Sequence, residues 1–217
     1  MNSLIITTSN DPFTRGLDYL YGVRCLALKP EMVDQIDNLE HRIPICTWIS
    51  EHIEAVNTQL NACLQACHDC FHPWEQPAIQ IFAAPLAQSF GLDALCNFQT
   101  NLISILIDVG RMMPKDWLLV VAHEYAHAHV GSPGHHQQFA QSLAHLCLGL
   151  DIAPPPYQPD MEYSLRFYPG YPPTQDPLAF WRGEGQDWQS SVTNFYFSDS
   201  GRSPLLHPLE LKGEECW

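Results

Sequence analysis

The chain has 217 residues, 46% of them hydrophobic, which suits one domain with appendages around a single core. Its 24 acidic side chains against 10 basic ones leave a formal net charge of −14, a field that repels phosphate backbones and anionic membranes. Nucleic-acid and membrane partners are therefore not expected.

The opening MNSLIITTSNDPF has no basic n-region and only the short apolar run Leu4-Ile5-Ile6, and no later stretch is long and apolar enough to span a bilayer. A cytoplasmic protein is expected. The eight cysteines fall inside apolar segments instead of the loop-rich spacing of a secreted scaffold, so they are read as reduced thiols.

In chain order, Leu4 to Thr8 suggests a short strand, and Leu17, Leu20, Val23 and Leu26 recur at helical spacing across an interruption at Gly22. Residues 31 to 42 predict a short helix through Met32, Val33, Ile36 and Leu39, with Pro44 separating it from a longer one. Over residues 47 to 71, Ile49, Ile53, Val56, Leu60, Cys63, Cys67 and Cys70 form one stripe, the pattern of a long amphipathic helix packed on a sheet. Cys63, Cys67, Cys70, His68 and His72 carry the residue types of a second metal site, but unpaired cysteines on a buried stripe are more simply packing residues.

After the break at residues 73 to 77, Ile79 to Phe82 predicts a strand, a loop follows around Ser89-Phe90-Gly91, and Asn101 to Asp108 predicts a second strand. Pro114 and Asp116 then open a helix that runs through an apolar stretch to Gly131. GSPG, at residues 131 to 134, is a turn by composition, and a second helix beginning at about His135 carries Phe139, Leu143, Leu146 and Leu150.

The chemistry lies in His123-Glu124-Tyr125-Ala126-His127. Histidines four apart on a helix differ by about 40° in azimuth, so both imidazoles leave one face and suit one zinc ion. Glu124 sits beside the metal without ligating it, the position of a general base that takes a proton from a water. Catalytic zinc takes three protein ligands. His135, just past the turn, is favoured as the third, with its neighbour His136 pointing elsewhere. His129 lies about 200° from His127 and points away. Asp108 and Asp151 are candidates for orienting a ligand imidazole, though each is more simply a cap.

HEYAH, a short turn, and His135 four residues before Phe139 resemble the zincin metallopeptidases of the SprT-like and related small groups, over roughly residues 77 to 150. The resemblance implies an α+β, zincin-like fold: a small mixed or antiparallel sheet packed on a long helix and the HExxH helix. It also implies a Zn2+-dependent peptidase acting on a peptide or protein substrate, with residues 101 to 108 as an edge strand to which an extended substrate adds.

Past residue 150 the composition changes: residues 151 to 217 hold ten of the 18 prolines and many aromatics, a Pro/aromatic-rich extension that precludes long helices and is expected to wrap the 1–150 domain or bind a protein partner. Tyr163, Tyr168, Tyr171 and His207 are candidate oxyanion donors, Tyr163 or Tyr168 being preferred for their place soon after the second helix. The alternative to a peptidase is an inactive or latent binding or regulatory module whose extension occupies the cleft or recruits a partner. A weaker third possibility is hydrolysis of a non-peptide amide.

Overall fold

The computed structural model describes residues 9–155 and 161–184. The strand expected over Leu4 to Thr8 and residues 156–160 and 185–217 of the extension, His207 among them, lie outside these.

Helix α1 (Pro12–Leu26) starts where the Asp11 carboxylate caps the Thr14 amide at 3.0 Å, with Pro12 in the first turn. It runs unbroken through Gly22. Tyr19, Leu20 and Val23 are its buried face, and Tyr19 donates its hydroxyl proton to the Ala83 carbonyl at 2.7 Å. Gly16 is where α1 meets the next helix: a Cβ there would stand 1.9 Å from the Cys46 carbonyl oxygen, so only glycine permits the approach.

The helix expected over residues 31 to 42 does not form. A 3-10 turn, Pro30–Met32, leads into extended chain, where Val33 bridges Leu86 and the Asp34 amide bonds the Pro85 carbonyl at 2.9 Å. Val33 and Ile36 are buried by this pairing, and Ile36 takes φ of 49°. A non-local pairing thus overrides the local helical spacing. Helix α2 (Leu39–His68) begins instead at the Asn38 cap and contains Pro44, which therefore interrupts nothing. Pro44 lies only one turn inside the helix, where a missing N–H costs a single hydrogen bond. The predicted stripe is buried from Ile49 to Cys67, while Cys70 falls just beyond the helix and is half-buried.

Strands β1 (Ile79–Ala83), β2 (Ala94–Asn97) and β3 (Ile103–Ile107) form a mixed sheet in the order β1-β3-β2. β1 pairs parallel to β3 with Ile81 opposite Ile105, and β2 pairs antiparallel with Cys96 opposite Ile105. This corrects the expectation for residues 101 to 108: β3 is the central strand, both its edges are occupied, and it has none left for a substrate. The edge strands among the described residues are β1 and β2, the latter a strand that the sequence did not reveal.

Helix α3 (Trp117–Val130) packs against α2, β2 and β3, and helix α4 (Gln137–Gly149) packs against α3. α3 is buried nearly all round, with every residue from Val120 to Ala128 inside, as expected of a helix apolar on most faces. α4 buries Phe139, Leu143, Leu146 and Cys147. Two short helices follow, α5 (Met161–Leu165) and α6 (Pro177–Trp181). Leu165 and Trp181 are fully buried in the same core as the helices before them, so this part of the extension lies against the domain. The architecture is α+β, and no helix among the described residues is long and apolar enough to cross a membrane.

Candidate metal centre

The motif histidines stand one turn apart on α3 with ring centroids 5.0 Å apart. Gly131, at φ of 69°, ends the helix by donating its amide to the His127 carbonyl at 2.9 Å, and the reversal that follows brings His135 back over α3. His135 Nε2 lies 3.1 Å from His123 Nε2, and a ligand nitrogen from each of His123, His127 and His135 falls within 4.8 Å of the others. Zinc–nitrogen bonds of 2.0–2.1 Å at the tetrahedral angle place two ligand atoms about 3.3 Å apart. The three donors therefore fit a single ion with little rearrangement. Among the described residues they are the only group of metal-binding side chains so arranged.

Each imidazole is prepared for coordination. The His127 Nδ1 sits 2.9 Å from the Ser132 carbonyl, which can only accept, so Nδ1 carries the proton and Nε2 keeps a free lone pair. Burial, reinforced by the neighbouring imidazoles, pushes the pKa of His123 down to about 3 and that of His135 down to about 4. The Tyr168 backbone lies close to His123, whose buried Nδ1 has no hydrogen-bond partner among the described residues. Phe139 backs all three rings, at centroid distances of 5.0, 4.3 and 4.8 Å from His123, His127 and His135.

Glu124 is also buried, and loss of water raises its carboxyl to about 8 with no cation to offset the effect. It opens with the three histidines onto a cavity of about 560 Å³. One side of this cleft is β2, through Ala94, Leu95 and Cys96; the other is the chain from Arg166 to Pro173.

The remaining candidates separate clearly. His136 turns to the Ser132 hydroxyl at 3.0 Å, and His129 stacks on Phe71 at 4.1 Å, so both lie off the site as expected. Asp108 orients no imidazole: it accepts from the Leu86 and Gly110 amides, Arg111 Nε and Trp181 Nε1, and so anchors the extension. Asp151 is an exposed residue at φ of 55°. Cys63 and Cys67 are buried packing residues, burial pushing the Cys63 thiol up to about 12, while His68 pairs with the Tyr125 hydroxyl at 3.0 Å.

Of the preferred tyrosines, Tyr163 is exposed and meets Phe167 edge-on, and the Tyr168 hydroxyl is committed to the Ala153 carbonyl at 2.7 Å. Tyr171 is better placed. It lines the cleft, feels the charge of Glu124, and donates to Asp93 Oδ2 at 2.6 Å. Sequence reasoning missed Arg166, Asp93 and β2, for which no local pattern signalled a place in a cleft.

Comparison with protein-family models, with curated proteins and with solved structures finds no match for this chain.

Proposed function

We propose that the chain is a zinc-dependent peptidase in which His123, His127 and His135 hold the metal and Glu124 is the general base. The observation that carries this reading is the convergence of three neutral imidazoles and one buried carboxyl at the wall of an open cleft. Bound zinc would polarise a scissile carbonyl and acidify a water. Glu124 takes the proton of that water and later hands it to the leaving amine, and the burial that raises its pKa makes it a stronger base. Ser132 holds the His127 tautomer, and Phe139 keeps the three rings from turning. An extended substrate adds to the outer edge of β2, which has no partner strand among the described residues. The Tyr171 hydroxyl, released from Asp93, is the donor for the developing oxyanion.

The test is metal content per chain in untagged protein, for the native sequence and for His123→Ala, His127→Ala and His135→Ala. One zinc, lost in each variant, supports the site; no zinc after reconstitution overturns it. Glu124→Gln then retains zinc and loses peptide turnover by roughly 10² to 10⁴. Retained turnover would end the mechanism.

One observation favours the second reading, a latent or regulatory module: residues 166 to 173 of the extension form a wall of the cleft and are latched to it by Tyr171 and Asp93.

A further inference from the structure

The arginines of this acidic chain are almost all spoken for. Among the described residues, Arg15 bonds the Ser9 carbonyl, Arg24 the Asp34 carbonyl, and Arg42 the Ile36 carbonyl and Asp37. Arg111 is held by Asp108 and the Leu86 carbonyl, and Arg182 by Asp176 and Glu184. Among the described residues, Arg166 is the one arginine without a side-chain partner, and it is the only lysine or arginine on the cleft wall. Its charge is close enough to His135 to depress that imidazole's pKa. Its backbone is anchored: Leu165 before it is fully buried, and its amide bonds the Tyr163 carbonyl at 3.3 Å.

The acids of the cleft do not neutralise it. Asp93 is engaged by the Tyr171 hydroxyl and lies 3.9 Å from Arg111, and Glu124 is buried at the metal site. Arg166 is exposed at the cleft and open to a ligand, and its planar fork matches a carboxylate in bidentate fashion. The chain's net charge of −14 opposes acidic ligands from afar, but charges more than about 8 Å away are largely screened at physiological salt, which leaves the groups of the cleft itself to decide.

We infer that Arg166 is a carboxylate-recognition subsite of the cleft, selecting peptides that carry a carboxylate beside the scissile bond. That carboxylate belongs either to the C-terminus of the peptide or to an Asp or Glu side chain. The inference rests on the peptidase reading for the word substrate, but the subsite itself is testable by binding.

The experiment measures fluorescence anisotropy of labelled peptides on the full chain, metal-free and zinc-loaded. Four peptides share one sequence: free acid, C-terminal amide, and amides with Glu or Gln at one central position. At least one carboxylated peptide binds about tenfold tighter than its neutral counterpart, and which one does so identifies the source. Arg166→Gln abolishes the preference while leaving neutral-peptide binding unchanged, and Arg166→Lys restores part of it. Absence of a preference in the native chain, its persistence in Arg166→Gln, or an equal loss for neutral peptides in that variant overturns the inference. Arg166-dependent preference without turnover of any peptide keeps the subsite and removes the peptidase. Turnover indifferent to carboxylates and to Arg166→Gln does the reverse.

Discussion

Glu124 is an acid that folding places beside three imidazoles and almost out of reach of water. Its pKa in the folded chain, about 8, lies above its ordinary 4.5, so folding favours the protonated form. The stability tied to that proton is whole below pH 4.5 and is lost as the pH rises through 8. In metal-free protein, Glu124→Gln should therefore gain stability over the native chain between pH 5 and pH 8, by on the order of 3–5 kcal/mol. The histidines act oppositely, their depressed pKa values withdrawing stability as the pH falls below 6.5, but they are common to both proteins and cancel in the difference. Calorimetry at several pH values measures the gap, and a gap that does not change with pH would show that the carboxylate is solvated. Phe139 is the other residue on which the centre depends. Phe139→Leu should cost about 1–2 kcal/mol, smaller than full truncation, and weaken zinc binding by loosening all three rings, read by thermal unfolding and zinc titration.

At the scale of elements, the turn after α3 determines whether a helix with two histidines becomes a three-histidine centre. Gly131 sits at a left-handed φ that alanine adopts poorly, and the same turn supplies both the Ser132 carbonyl and the position of His135. Gly131→Ala is expected to lose about 1 kcal/mol of stability and to weaken zinc binding more than that loss alone explains. Equal zinc affinity in the variant would mean that the turn does not hold His135. The helical pair was legible beforehand because a repeat of 3.6 residues is a property of the local backbone, and the turn was legible because glycine and proline mark it. The strand order was not. Asn101 to Asp108 has the β-branched content of any buried strand, and nothing in it distinguishes a central strand from an edge. β2 is only four residues long, too short for its alternation to stand out from a loop. Residues 31 to 42 misled for a related reason, since Val33 and Ile36 suit a helical face and equally suit an extended segment buried against Leu86.

At the scale of the whole molecule, the described part of the extension packs into the core of the domain. Trp181 is fully buried, donates to Asp108 at 2.8 Å and packs edge-on against Trp48 of α2. Pro177 closes on Gly110 so tightly that a Cβ there would meet its carbonyl at 2.2 Å. Trp181→Ala should cost about 3–5 kcal/mol, whereas Trp181→Phe, which loses mainly the bond to a carboxylate, should cost about 2 kcal/mol. Removing residues 151 to 217 separates the two functional readings: we expect loss of cooperative unfolding, and a folded, more active product would instead establish latency.

Taken alone, the amino-acid sequence determined the metal-binding residue types, their spacing on one helix face, the turn behind them and the long buried helix, because each depends on neighbours a few residues away. Only the tertiary structure decided that β2 is an edge strand lining the cleft, that Tyr171 and Arg166 face the cleft, and that Asp108 anchors the extension instead of orienting an imidazole. Those assignments depend on contacts between segments as much as 78 residues apart, and no local pattern encodes which distant surfaces will meet.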